Sequence, residues 1–249
     1  MSGRAFFGSS LAALAIALLG CNRAPLTLDQ VIERNTKAMG GRAAIEAVKS
    51  IRVDLHIVDP GFEVDGTYRA ARPGRMRIDA LISGKHVFTE AFDGQHGWEW
   101  AGKGNQAATS DKATAALRHG VELPGKLFGV HELKERGHRL ELIGREKVDE
   151  IDYYVLRLTM SDGYTTTLYV DPKSWLITRR RDVRPLHVDI DPTPTTIEQH
   201  SSDFREISGV QFAFASTEID LKTGKVLESM KVNKIEVNPS INQSIFDKL

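Results

Sequence analysis

Three side chains that can bind a divalent metal stand at alternating positions in the segment His187-Val188-Asp189-Ile190-Asp191. Alternate residues of a strand share one face, so one imidazole and two carboxylates could converge on an ion there. Alternation with valine and isoleucine is, however, equally typical of the solvated face of an edge strand. We favour the second interpretation, and predict that the protein has no metal site and no cofactor.

A second polar cluster, made of Asp93, His96 and Glu99, lies in the stretch DGQHGWE. An Asp-Gly pair favours a turn, so we expect these side chains at the surface rather than in a catalytic site. The sequence contains no Gly-x-Ser-x-Gly nucleophile elbow, no His-Glu-x-x-His pair and no phosphate-binding glycine loop. We therefore predict that the protein is not an enzyme.

The only cysteine, Cys21, follows an apolar run from Leu11 to Leu19, and Arg4 precedes that run. A positive residue, a short apolar segment and the small residue Gly20 are typical of a secretory signal peptide. The run is shorter than the roughly 20 apolar residues that a membrane-spanning helix needs. A single cysteine in an exported protein forms no internal disulfide, so its position requires another explanation.

The tetrapeptide Leu18-Leu19-Gly20-Cys21 resembles a bacterial lipobox. This resemblance implies cleavage before the cysteine and transfer of a diacylglyceryl group to its thiol. Residues 1–20 are then a lipoprotein signal peptide, residues 21–26 a lipidated tether, and residues 27–249 the folded domain. The alternative is an ordinary signal peptide followed by an incidental cysteine.

The charge balance excludes one class of partner. The chain has 33 basic and 33 acidic residues, which gives a formal net charge of +0. Such a chain has no excess positive charge to neutralise a phosphate backbone, so we do not expect it to bind nucleic acid. Hydrophobic residues make up 41% and charged residues 27%, as is usual for a globular domain.

The spacing of apolar residues changes from helical to extended near residue 50. Thr27 can cap a helix that Gly40-Gly41 ends, and a short second helix follows. From Ile51 onwards apolar and polar residues alternate in about eleven strands separated by short turns, with a short helical insert within residues 101–137. This order predicts a mainly β (α+β) fold built on a single antiparallel sheet, which must curve strongly at that size.

Four segments resemble the periplasmic lipoprotein-carrier superfamily, which contains LolA-type outer-membrane lipoprotein-sorting proteins and lipidated LolB-type receptors. They are TKAMGGRAAIEAVKSIRVDL, FDGQHGWEW, TTTLYVDPKSWLITRRR and the tail VNPSINQSIFDKL, in that order along the chain. The resemblance implies an unclosed β-barrel over a hydrophobic cavity, with helices acting as a lid. It also implies binding of acyl chains from lipids or lipoproteins.

Apolar side chains at every second position can supply the wall of such a cavity. The alternative is that they only pack the sheet against the helices. The candidate ligand-binding residues are Val53, Leu55, Ile57, Met76, Ile78, Phe88, Leu156, Leu158, Leu168 and Val170.

Two further motifs have both a membrane interpretation and a structural one. The basic run RRRDVR, from Arg179 to Arg184, could meet anionic lipid headgroups, but a solvated strand end is the favoured interpretation. Trp98 and Trp100 share a strand face and could lie at a membrane interface or at the cavity mouth. Simple packing of that strand is the favoured interpretation.

Taken as a whole, the sequence predicts a membrane-anchored lipoprotein that faces the periplasm and binds lipid or lipoprotein acyl chains. Lipidated Cys21 would hold it on the membrane, since several acyl chains together anchor a protein stably. Asn22 replaces the aspartate that often signals retention in the inner membrane, which favours the outer membrane. The alternative is a non-enzymatic envelope sensor, or a module on the same fold that binds an envelope protein partner.

Overall fold

An antiparallel sheet makes up most of the computed structural model, which describes residues 25–186 and 188–248. Its thirteen strands within those residues are β1 (Ser50–Asp59), β2 (Phe62–Ala71), β3 (Arg75–Ile82), β4 (Lys85–Phe92), β5 (Gly97–Trp100), β6 (Ala107–Ala108), β7 (Arg139–Val148), β8 (Ile151–Thr159), β9 (Thr165–Val170), β10 (Ile177–Arg184), β11 (Thr195–Ile207), β12 (Val210–Asp220) and β13 (Val226–Val237). Their spatial order is β6-β5-β4-β3-β2-β1-β13-β12-β11-β10-β9-β8-β7. The sheet is not closed, because β6 and β7 are free edges. The predicted single antiparallel, unclosed sheet is confirmed.

Three α-helices accompany the sheet in the described part of the chain: α1 (Leu28–Ala38), α2 (Arg42–Ala47) and α3 (Asp111–Glu122). Short 3₁₀ helices cover Val130–Glu132 and Gln243–Phe246. The predicted N-cap is confirmed, because the Thr27 hydroxyl accepts the Gln30 N–H at 3.3 Å. The Gln30 side chain in turn accepts the Thr27 N–H at 2.9 Å, which completes a capping box.

The two glycines that follow α1 end it as predicted. Gly40 has a φ of +118°, a conformation that other residues rarely adopt. A Cβ atom on Gly40 would lie 1.9 Å from the carbonyl oxygen of Gly209, in the turn between β11 and β12. The close approach therefore requires glycine at this position and holds the end of α1 against that turn, where Gln211 N–H also donates to the Met39 carbonyl at 3.0 Å.

The number of strands exceeds the prediction of about eleven. One strand that the sequence did not indicate is β6, in a segment predicted to be a polar loop. Its two residues pair with β5, Ala108 opposite Trp98 and Ala107 opposite Glu99. Two residues are too few to show a period, so no hydrophobic pattern marks such a strand.

The sheet curls strongly around a common core. Met76 of β3 and Phe212 of β12 belong to one hydrophobic cluster, although three strands separate β3 from β12 in the sheet. A flat sheet would hold such residues far apart, since neighbouring strands are about 4.8 Å apart. A second cluster, which includes Val31, Leu133 and Leu156, packs α1 against the other half of the sheet.

The strand connections define two ends of the curled sheet. The turns at residues 60–61, 83–84 and 221–225 and the longer segment 185–194 lie at one end, which we name the open end. Helix α1 covers the opposite end, where the Asn35 side-chain amide donates to the Trp175 carbonyl at 2.8 Å. The sheet is therefore covered by α1 at one end and bordered by turns and one long segment at the other.

The predicted signal peptide, residues 1–20, and Cys21 lie outside the described residues. Of the predicted tether, the structure describes only Pro25 and Leu26, and Leu26 packs against the second cluster. The division of the chain into signal peptide, tether and domain stays a prediction.

Candidate functional site

A cavity of about 660 Å³ lies on the concave side of the sheet. Its apolar wall comes from β1, β12 and β13, which are neighbours at the centre of the sheet. Val53 faces Ile235, and Leu55 faces Val232, across the pairing of β1 with β13. The volume lies within the range of roughly 300–1,000 Å³ that small-molecule sites usually have. An apolar ligand of that size therefore fits inside the fold.

Three of the ten candidate ligand-binding residues line this cavity: Val53, Leu55 and Leu168. The other seven do not line it. Ile57, Met76 and Ile78 belong to or pack against the first core cluster, and Leu156, Leu158 and Val170 belong to the second, while Phe88 is a half-buried residue of β4. The inward strand face was thus predicted, but its division into cavity wall and packed core depends on where the helices lie. Ligand binding by any of the ten stays a prediction.

Helix α3 and the segment after it cover part of the cavity. The buried face of α3 carries Ala113, Leu117 and Val121, and the helix packs on β3, β4 and β5. Ala116 and His119 line the cavity instead. The helical insert predicted within residues 101–137 is confirmed, and its position is that of a lid.

The lid is tied to the long segment at the open end. Ser110 caps α3 by accepting the Ala113 N–H at 3.1 Å. The Ser110 hydroxyl and N–H also donate to the Asp189 carboxylate, at 2.5 and 3.2 Å. Leu186 and Val188 of the same segment line the cavity. A movement of either element would therefore displace the other.

The two described carboxylates of the segment considered as a metal site, Asp189 and Asp191, are each engaged in hydrogen bonds. Asp189 is engaged by Ser110, and Asp191 accepts the Thr193 N–H at 3.0 Å. His187 lies outside the described residues. Within the described residues, no group of three or more His, Cys, Asp or Glu side chains is arranged to hold a metal ion.

One wall of the cavity is charged rather than apolar. Arg180 and Arg184 of β10 line the cavity. Arg184 donates to both carboxylate oxygens of Glu218, at 2.7 and 2.6 Å. Arg180 lies 3.2 Å from an oxygen of Asp182, which also accepts the Tyr164 hydroxyl at 2.5 Å. Two arginines and two carboxylates therefore neutralise one another along this wall.

The basic run thus divides between the two faces of β10. Arg179 and Arg181 form ion pairs with Glu198, and Arg179 also borders the cavity. Arg180 and Arg184, at the intervening positions, line the cavity. The favoured expectation of a solvated strand end is wrong for these two residues, because the curl of the sheet encloses the face that carries them.

The other polar motifs have structural roles. The Asp93 carboxylate accepts the N–H groups of Gln95 and His96, both at 2.7 Å, which stabilises the turn between β4 and β5. Trp98 is 1% exposed, and its indole N–H donates to the Phe246 carbonyl at 2.8 Å. Trp100 donates to the Gly104 carbonyl at 3.1 Å. Trp98 therefore has the packing role that was favoured for both tryptophans.

Glu90 of β4 is a half-buried carboxyl group on the same strand face as Tyr68 and Ile78. It faces Glu99 directly across the pairing of β4 with β5. Burial, together with the nearby carboxylates of Glu99 and Asp189, raises the pKa of Glu90 to about 7. For a carboxyl whose pKa is raised on folding, the free energy of unfolding is highest at pH values below the pKa of the unfolded state. It falls as the pH rises through the pKa of the folded state.

Replacement Glu90→Gln is expected to raise the free energy of unfolding by about 1–2 kcal/mol near pH 8, because it removes a carboxylate held beside two others. Near pH 4 the two proteins should have the same stability, since Glu90 is then protonated and close in shape to glutamine. Urea unfolding at both pH values measures the difference. The matched control Glu33→Gln, at an exposed position of α1, should change stability by less than about 0.5 kcal/mol at either pH. A destabilised Glu90→Gln protein near pH 8 would contradict the prediction.

Large apolar side chains are exposed around the open end. They come from four separate connections and strand ends, so they form a rim rather than a single patch. Their exposed fractions range from 38% at Leu186 to 85% at Ile190. The rim, as we name this set, consists of Val58, Phe62, Ile82, Val183, Leu186, Ile190, Leu221 and Val226. Exposed apolar groups gathered in this way favour contact with another apolar surface.

Among the helices of residues 25–186 and 188–248, none is both long and apolar enough to cross a bilayer.

Comparison of the whole structure with solved structures finds many similar chains, among them the following two. The first is the crystal structure of a LolA superfamily protein from Nitrosomonas europaea, with 15% sequence identity, a TM-score of 0.55, and coverage of 90% of this chain and 99% of that one. The second is a putative outer membrane lipoprotein-sorting protein domain from Vibrio parahaemolyticus, with 12% identity, a TM-score of 0.57, and coverage of 88% and 95%.

The chain has a LolA-like fold. The agreement covers nearly the full length of both relatives, so the curled open sheet and its helices belong to that fold together. At these identities the similarity establishes the fold alone. No protein-family model and no curated protein sequence matches the chain.

Proposed function

We propose that this protein is a lipid-anchored lipoprotein of the bacterial cell envelope that binds lipid or lipoprotein acyl chains in its cavity. The observation that carries the proposal is the cavity of about 660 Å³, which an apolar wall and the lid helix enclose within a LolA-like fold. Burial of ~15 methylene groups would contribute roughly 12 kcal/mol before ordering costs, at ~0.8 kcal/mol each. Binding of this kind requires no catalytic group and no metal.

The protein acts at a membrane surface in this proposal. The rim places exposed apolar side chains around the open end, where an acyl chain would pass between a bilayer and the cavity. Lipidated Cys21 would keep the domain beside the periplasmic face of the membrane, which we infer to be the outer membrane. A tethered protein of this kind fits a receptor or a membrane-bound lipid handler better than a free shuttle.

Uptake of a fluorescent fatty acid tests acyl-chain binding directly. The mature protein carrying Cys21→Ser is titrated in solution with a 16-carbon chain that bears a fluorophore at its methyl end. We expect saturable binding with one ligand per protein. Unsaturable, protein-independent fluorescence would contradict the proposal.

Lipidation at Cys21 is tested separately, by growing cells that express the full chain on labelled palmitate. The wild-type protein should carry the label and sediment with membranes. The Cys21→Ser protein should carry none and stay in the soluble fraction. An unlabelled wild-type protein would contradict the anchor without affecting the cavity.

A further inference from the structure

Lys126 is a cation of the cavity that has no anionic partner within 4.0 Å among the described residues. Lys126 follows α3, lines the cavity, and is exposed to the space inside it. Its ammonium nitrogen lies 4.4 Å from the centre of the Tyr68 ring, which is a cation–π contact. Within the described residues, no carboxylate oxygen lies within 4.0 Å of this nitrogen and no hydrogen bond engages it. The protein itself therefore leaves a positive charge of the cavity uncompensated by a direct contact.

Arg180 stands on the wall near Lys126, and burial, followed by the charge of Arg180, lowers the pKa of Lys126. The guanidinium contacts Asp182 at 3.2 Å and approaches Glu218 at 3.8 Å. Its Nε–H is buried and has no hydrogen-bond partner among the described residues. Because that nitrogen has almost no accessible surface, a ligand in the cavity would meet Arg180 at the terminal nitrogens of its guanidinium.

The two carboxylates near Lys126, Glu218 and Glu228, do not contact its ammonium group directly. Glu218 is held by both of its oxygens in the pair with Arg184. Glu228 of β13 is half-buried, and burial together with Glu218 raises its pKa to about 7. The charges that act on Lys126 from β10, β12 and β13 are Arg180, Glu218 and Glu228, and neither carboxylate lies within 4.0 Å of its ammonium nitrogen.

We propose that Lys126 and Arg180 form a headgroup site for an anionic amphiphile, whose carboxylate or phosphate oxygens pair with these two cations while its chain fills the apolar part of the cavity. The apolar wall formed by Val53, Leu55 and Ile235 belongs to the same cavity, so the headgroup and the chain of one ligand can bind side by side. The inference rests on the proposed acyl-chain function and specifies the class of lipid. Hydrogen bonds between charged groups of this kind are stronger than hydrogen bonds between neutral groups.

Three ligands with the same 16-carbon chain test the headgroup: hexadecanoate, hexadecyl phosphate and hexadecanol. Each displaces a neutral fluorescent probe from the mature Cys21→Ser protein. We expect at least one of the two anions to bind about tenfold or more tightly than hexadecanol, since hydrogen bonds to charged groups are the stronger class. Preference for hexadecanoate would assign a free fatty acid, and preference for hexadecyl phosphate would assign a phosphate-bearing lipid.

Variants of the lysine separate its charge from its packing. Lys126→Met keeps the contact with Tyr68. It should reduce the preference for anions to less than about threefold, without lowering the affinity for hexadecanol. Lys126→Arg should retain the preference, because the charge is kept. The control Lys134→Met, at an exposed position away from the cavity, should behave as the parent protein.

Three results would overturn the inference, and they differ from one another. Equal affinity of the parent protein for hexadecanol and for both anions would remove the headgroup site but leave acyl-chain binding intact. Failure of all three ligands to displace the probe would remove the acyl-chain function together with the headgroup site. Tighter binding of the cationic analogue hexadecyltrimethylammonium than of the anions would also overturn it, since the carboxylates of the wall would then dominate.

Discussion

The Arg72→Met protein is expected to lose about 3–5 kcal/mol of unfolding free energy, because the substitution leaves a buried carboxylate without its cation. Arg72 donates to the two carboxylate oxygens of Glu132, at 2.5 and 3.1 Å. Both side chains are mostly buried, with 20% and 11% exposed. The pair ties the turn between β2 and β3 to the 3₁₀ helix beyond the lid. Urea unfolding of the soluble Cys21→Ser form measures the loss.

Arg72 also serves three backbone carbonyls. It donates to Val48 at 2.8 Å, to Leu127 at 2.5 Å and to Ile45 at 3.3 Å, and its guanidinium lies 4.6 Å from the centre of the Phe128 ring. Methionine fills similar space but donates no hydrogen bond. Each carbonyl left without a donor in a buried position adds to the cost.

The pH dependence of this effect has a definite sign. Hydrogen bonds from Arg72 and from the Gly129 N–H hold the pKa of Glu132 below its usual value, although burial alone would raise it. A carboxyl with a lowered pKa stabilises the fold above its unfolded pKa, and this contribution is lost as pH falls through the folded pKa. The difference between parent and Arg72→Met should therefore shrink in acid.

An exposed arginine provides the matched control. Arg205 pairs with Asp203 at 2.6 Å, but both side chains are about half exposed. Arg205→Met should cost far less stability than Arg72→Met, because exposed ion pairs contribute little. Similar losses from Arg72→Met and Arg205→Met would contradict the role assigned to the buried pair.

Filling the cavity from the lid is expected to abolish most acyl-chain binding. Ala116 lies on the side of α3 that lines the cavity and is not part of the buried face of the helix. A tryptophan there would project into the space that the chain needs. Exclusion of only two methylene groups costs about 1.6 kcal/mol at about 0.8 kcal/mol each, so affinity for a 16-carbon chain should fall more than about tenfold.

The control for this variant is Ala108→Trp. Ala108 is exposed on β6 and does not line the cavity. The Ala108→Trp protein should take up the fluorescent fatty acid as the parent does, and both variants should unfold at nearly the same urea concentration as the parent. Unchanged binding by a folded Ala116→Trp protein would show that the ligand lies elsewhere.

Local sequence patterns were sufficient for most elements of the fold. Thr27 and Gly40 act on their immediate neighbours, so their roles as cap and stop can be predicted from residue type alone. Alternation in β1 predicts which face turns inward, and turn residues mark the hairpins. The two-residue strand β6 was missed because its pairing with β5 depends on tertiary contact.

The chemistry of the cavity was less predictable, because it arises from curvature. Lys126 belongs to a connection, Arg180 to a basic run and Glu228 to an amphipathic strand, and nothing in their spacing relates them. Only the curl of the sheet brings β10, β13 and the segment after α3 around one space. The sequence offered one indication of this charged wall, the run Arg179-Arg180-Arg181. Successive side chains of a strand point to opposite faces, so at least one of these arginines must point to the inner face of the sheet.

Native mass spectrometry of the soluble Cys21→Ser protein, isolated from the envelope fraction of its host without added lipid, tests acyl-chain binding most directly. We expect the protein to carry one noncovalent ligand of lipid mass. Collisional activation should release it as a negative ion, and Ala116→Trp should abolish it. A parent protein that always has the mass of its polypeptide alone, or that carries a stoichiometric protein partner and no lipid, would contradict the account.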